Sequence, residues 1–200
     1  MKDPRFTALQ TIRDEHRSIS AVLFGMKELA RMTAMARERP DFRPLRSMLR
    51  YVDEYPERLH HPKEDDYLFA RLAERAPETR PLIERLKGEH AKGAELLREL
   101  QRSFIAMEEA WPEGTARFRE AVDAYAQFHW DHMSREEKEL LPLAERHLGK
   151  ADWEAIAAAF SANTNPIADV RERDFDTLFA RIVNLAPAPV GLGDPWARPA

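Results

Sequence analysis

The chain has no cysteine, and that absence removes several chemistries at once. Without thiols there is no disulfide framework, no thiolate metal ligand and no cysteine-held iron–sulfur cluster. Apolar runs never approach the ~20 residues needed to span a bilayer, so no membrane partner is expected. Neither sign of charge dominates: 31 Lys and Arg against 35 Asp and Glu give a net charge of −4, and the two signs interleave along the chain. No basic stripe stands out, so nucleic acid is not an expected partner. The segment Met1-Lys2-Asp3-Pro4-Arg5-Phe6 lacks the apolar core of a signal peptide. With the missing cysteine, this predicts a cytoplasmic protein.

Period-two alternation is missing too, and helical periodicity fills its place. Leu9, Ile12, His16, Ile19, Leu23, Met26 and Ala30 form one apolar stripe, with His16 where an apolar residue would otherwise stand. It predicts a first helix over about 6–37. A second is expected over about 44–75, with Pro44 suited to its first turn and Pro56 and Pro62 kinking it. A third covers about 81–109 through Ile83, Leu86, His90, Gly93, Leu97, Leu100, Phe104 and Met107. The fourth covers about 115–147 through Phe118, Val122, Tyr125, His129, His132, Glu136, Leu140 and Leu143. Gly149 is expected to allow a left-handed cap. Shorter helices are expected over 151–161 and 170–184, followed by a Pro-rich flexible tail. The expected fold is therefore all-α, an up-down four-helix bundle (6–148) with a short C-terminal helical extension (149–185) and a tail (186–200).

One chemical pattern occurs twice on these stripes. His16 is followed by His60 and Glu64, and His90 by His132 and Glu136. The lone His precedes the pair by 44 residues in one copy and 42 in the other. Positions i and i+4 share a helix face, so each pair can reach one metal or straddle two. Imidazole nitrogen with carboxylate oxygen suits iron, manganese or zinc. Two carboxylates can bridge metals roughly 3.5–4 Å apart.

Taken singly, each piece has an ordinary reading. A lone His on an apolar stripe is commonly a satisfied core residue, and a His-x-x-x-Glu pair is commonly a solvated face. The weight lies in the coincidence, since burying all six groups without a partner would be costly. The ferritin-like pattern needs two Glu-x-x-His pairs, and Glu57-Arg58-Leu59-His60 is the only one.

These residues resemble the hemerythrin-like, HHE cation-binding family. The matching segments are Asp14-Glu15-His16, His60-His61-Pro62-Lys63-Glu64-Asp65 with Leu68-Phe69, Glu89-His90, and His132 to Glu137 with Leu140-Leu141-Pro142. Ala70 replaces the proline that ends the second-helix motif. The resemblance covers about 8–148, and Asp152-Trp153 is similar to the extension of bacterial members. It implies two iron ions in a non-haem di-iron centre held by His16, His60, Glu64, His90, His132 and Glu136, with Glu64 and Glu136 bridging.

His61 with Asp65 is also an i, i+4 pair, about 100° round the helix from His60 with Glu64. The match to the second half favours His60, which leaves His61 and Asp65 on the helix surface or behind the ligands, and Glu137 solvated. Oxygen-carrying hemerythrins have a fifth histidine one turn after the first on the third helix, where this chain has Ala94. Their fourth-helix carboxylate is an aspartate five residues after the His, whereas Glu136 follows His132 at four. Both departures weigh against reversible oxygen storage. His129, three residues before His132, could be the missing imidazole, a donor behind the ligands or a proton relay. Tyr125 reads as core or as a donor to a bound ligand, Met26 and Met107 as packing, and His147 as a partner for helix-end carbonyls.

The function expected from the resemblance is binding of, or reaction with, dioxygen, peroxide or nitric oxide, through gas or redox sensing or a weak peroxidase- or catalase-like activity. One alternative is an iron-donating protein linked to iron–sulfur repair. Such relatives resemble longer chains with an extra N-terminal segment, often with cysteines. Another is a metal-free helical interaction module, which would tolerate His90→Ala. No nucleophile or organic substrate can be read from the sequence, and a protein partner is not identifiable.

Overall fold

The computed structural model describes residues 3–161, and among these every regular element is helical. Helix α1 is Pro4–Met35; Asp3 accepts from the Arg5 N–H at 3.0 Å, and Pro4 takes the first turn, where its missing N–H costs nothing. Helix α2 spans 43–75, α3 is Arg80–Ala110, α4 spans 115–147, and α5 is Lys150–Ser161. The expected second short helix (170–184) and the tail (186–200) lie outside the described residues.

Pro56 and Pro62 do not break α2. The helix widens instead into π-helical turns at Pro56–His60 and Glu64–Phe69. A wider turn absorbs the hydrogen bond that a proline cannot make. The His61 N–H then reaches the Pro56 carbonyl, five residues back. Helix α4 has the matching π turn at Glu136–Leu140, so Glu64 and Glu136 each open one. Among the described residues only Gly114 has a positive φ, 82°, and a Cβ there would sit 3.2 Å from the Met107 backbone. Gly149 differs from expectation: α4 ends with Leu148 extended, and the Gly149 N–H donates to Asp152 Oδ2.

Helix α4 packs against both α1 and α3, and α1 also packs against α2 and α5. Two apolar clusters result. One holds Ile19, Leu23, Met26, Val52, Leu97, Leu100, Met107 and Tyr125, so both stripe methionines are packing residues. The other holds Ile12, Leu68, Phe69, Leu86 and Leu140, together with Trp153, Ile156 and Phe160 from α5. The buried polar groups fall between them. His16 lies between Ile12 and Ile19 on α1, and His90 between Leu86 and Leu97 on α3. No described helix is long and apolar enough to cross a membrane.

Candidate metal centre

All six residues singled out by the repeat are buried, and they converge on one layer of the bundle. His16, His60, Glu64 and Glu136 form one group of potential ligand atoms within 4.8 Å of one another. His61, Glu64, His90 and His132 form the second, so the two groups share Glu64. Within each group two imidazole nitrogens point at each other. His16 Nε2 lies 3.1 Å from His60 Nε2, and His90 Nε2 lies 3.1 Å from His132 Nε2. Two nitrogens bound at right angles about 2.1 Å from one transition metal would be about 3 Å apart.

The carboxylates span the groups. Glu64 Oε1 lies 3.2 Å from His60 Nε2, while its Oε2 lies 3.5 Å from His90 Nε2. Glu136 Oε2 lies 3.4 Å from His16 Nε2, while its Oε1 lies 3.3 Å from His132 Nε2. None of these four buried oxygens has a hydrogen-bond partner among the described residues. Orphaned carboxylate oxygens facing paired imidazole nitrogens are a poor arrangement for an apolar core and a good one for cations. The residues present therefore fit a metal pair.

A second ring of carboxylates stands behind the imidazoles. Glu15 Oε2 meets His60 Nδ1 at 2.6 Å, and Glu89 Oε2 meets His132 Nδ1 at 3.0 Å. Glu137 Oε1 meets His16 Nδ1 at 2.9 Å, and Asp65 Oδ1 lies 3.2 Å from His90 Nδ1. Glu15, Glu89 and Glu137 fix their rings so that Nε2 faces inward, the usual way a ligating histidine is oriented, while Asp65 lies close to His90 Nδ1 without a hydrogen bond. The repeat carries this ring too. The Glu before each lone His (Glu15, Glu89) backs the later His of its own half. The acid after each shared Glu (Asp65, Glu137) backs the lone His of the other half. The sequence contained the signal, a second acid beside each of His16, Glu64, His90 and Glu136, but not the pairing. Glu137 is thus a partner of His16 rather than a freely solvated group.

His61 corrects the sequence reading more sharply. It is buried, at 5 % exposure, rather than on the helix surface, and it stands in the second group of potential ligand atoms. On the helix, Glu64 sits about 40° from His60 and about 60° from His61, hence between them. The two histidines were not alternatives; they straddle the inward face. His129, by contrast, lies outside both groups. It is buried against Tyr125, with ring centroids 4.3 Å apart, and its Nε2 is 3.8 Å from Glu57 Oε1. Tyr125 is a fully buried core residue whose hydroxyl has no hydrogen-bond partner among the described residues. His147 faces Glu78 at 4.0 Å, far from this layer.

The hemerythrin HHE cation-binding domain model matches residues 7–144. The chain belongs to that family. No curated protein matches it.

In this hemerythrin-family chain, protons and cations compete for one negative site. Burial opposes charge on His60, but Glu64 and Glu15 outweigh it and hold its pKa at about 9. Burial likewise opposes charge on His90, and Asp65, Glu136 and Glu64 raise it to about 11. His16 is raised well above its ordinary value against burial, chiefly by Glu136 and Glu137. Burial would raise Glu64, yet His60, His16 and His90 hold it well below the usual carboxylate range. His61 and His129 run the other way: burial pushes both down, His129 to about 3, helped by the neighbouring imidazoles. Glu57, beside them, is pushed by burial up to about 7.

Proposed function

We propose that this protein is a non-haem di-iron protein that binds or reacts with dioxygen, peroxide or nitric oxide. The observation that carries the reading is the arrangement of Glu64 and Glu136: each turns one oxygen to the His16–His60 pair and the other toward the His90–His132 pair. The proposed ligands are His16, His60, Glu64, His90, His132 and Glu136. Nitrogen and oxygen donors without thiolate suit iron in particular when carboxylates bridge. Two iron ions would supply redox chemistry toward a small ligand.

The chain's own residues set what can reach them. Every proposed ligand is at most 8 % exposed, so access is restricted to very small molecules. Phe69 stacks on His90, with ring centroids 5.6 Å apart, and Phe160 of α5 approaches His60 edge-on at 6.1 Å. These rings exclude bulk water, which strengthens the electrostatics inside. Glu15, Glu89 and Glu137 hold the His60, His132 and His16 imidazoles in one tautomer and orientation.

The test is metal analysis of anaerobically purified protein, with optical spectra before and after adding oxygen, peroxide and nitric oxide. Two irons per chain, with charge-transfer absorption that responds to at least one of these ligands, is the expected result. Less than one metal per chain after iron-replete expression would sink the proposal.

A further inference from the structure

We infer that His61 is a fifth imidazole ligand and that it makes the two metal positions unequal. The inference rests on the di-metal reading and concerns how the donors are divided. The His16–His60 position would have two imidazoles, and the His90–His132 position three.

Three observations carry it. First, His61 offers a ring nitrogen to the same group of ligand atoms as Glu64, His90 and His132. Its ring lies parallel to that of His90, centroids 4.1 Å apart at 11°, and 5.6 Å from that of His132. Second, the buried Nδ1 of His61 has no hydrogen-bond partner among the described residues, and a carboxylate stands near it beyond hydrogen-bonding distance. Glu57 Oε2 lies 3.7 Å from His61 Nδ1, one turn earlier on the same helix. Third, α3 makes room for this arrangement. Gly93 stands where a Cβ would come within 3.4 Å of Glu57 Oε1 and 3.2 Å of the His129 ring. The missing side chain lets Glu57 and His129 pack behind His61.

The repeat shows that this is one-sided. Shifting by the 72 residues that relate His60 to His132 places Met133 at the position of His61, and His129 at that of Glu57. Met133 is buried in the apolar cluster and offers no nitrogen. The six-residue repeat alone would give two nearly equivalent positions; His61 makes the pair unequal. Ala94 leaves α3 without its second histidine, and α2 supplies an imidazole from another direction.

The test is titration of metal-free wild-type, His61→Gln and His61→Gly proteins with Co(II), read by visible absorption and chelator competition. Circular dichroism and thermal melting check each variant's fold, and Gln keeps a polar side chain of similar length. Wild type should take two ions with distinct affinities and spectra. In His61→Gln one ion should bind about ten-fold or more weaker with a changed spectrum, the other being unchanged. Added imidazole should restore the lost affinity in His61→Gly. Two ions bound by folded His61→Gln with wild-type affinities and spectra would overturn the inference and leave the di-metal proposal standing. Failure of wild type to take up two ions would remove both.

Discussion

Glu15 holds His60, not the His16 that follows it in the chain, through a 2.6 Å contact between buried groups on α1 and α2. Lys63 lies 3.4 Å from the other oxygen of Glu15. Burial opposes the Glu15 charge, yet His60 and Lys63 hold its pKa below the ordinary value. It therefore stays an anion and orients the His60 ring.

Removing that anion should loosen one metal without unfolding the bundle. Glu15→Ala should weaken metal binding by about 10–100-fold, and Glu15→Gln by less, because the amide can still hydrogen-bond. Chelator competition measures this. Glu89→Ala should give the same penalty through His132.

Metal removal should make stability depend on pH in a defined direction. In the metal-free protein His60 and His90 titrate at about 9 and about 11, above the ordinary 6.5. A raised histidine binds its proton more tightly folded than unfolded. Its contribution is complete below pH 6.5 and is lost as pH rises through the folded value. The melting temperature of chelator-treated protein should thus fall as pH rises from about 6.5 toward 9 and beyond. Metal uptake at pH 7 should release protons, seen as a dependence of calorimetric heat on buffer ionisation enthalpy.

Gly93→Ala should destabilise the protein. Alanine favours the helix by about 1 kcal/mol. The new methyl, however, would meet the His129 ring at 3.2 Å, and that ring is held between Tyr125 and His61. Overpacking costs about 1–3 kcal/mol, so a net loss of about 1 kcal/mol should appear in denaturant melts.

Helix α5 should loosen at low pH. Arg75 grips both oxygens of Asp152, at 3.0 and 3.1 Å, and this contact lowers the Asp152 pKa from 3.8. A lowered carboxylate contributes stability above its unfolded value, lost as pH falls through the folded one. Arg75 is more than half exposed, so solvent screens the pair and its contribution to stability is small. Asp152→Asn should increase hydrogen exchange in α5 at pH 7, and wild type should approach the variant well below pH 4.

The sequence by itself determined the four amphipathic helices and the positions of six buried donors. Both follow from 3.6-residue periodicity, which is local. His16, His60, Glu64, His90, His132 and Glu136 sit where apolar side chains belong, and that misplacement is visible without a fold. It could not show which acid backs which histidine. Glu15 beside His16 serves His60, and Asp65 beside Glu64 serves His90, because such pairings cross between helices. Nor could it place His61, since adjacent residues diverge by about 100° round a helix and only a packed neighbour defines the inward direction. Only the tertiary structure decided these, because side chains far apart in sequence meet through packing: Gly93 opens the space behind His61, and Phe160 of α5 closes the layer beside His60.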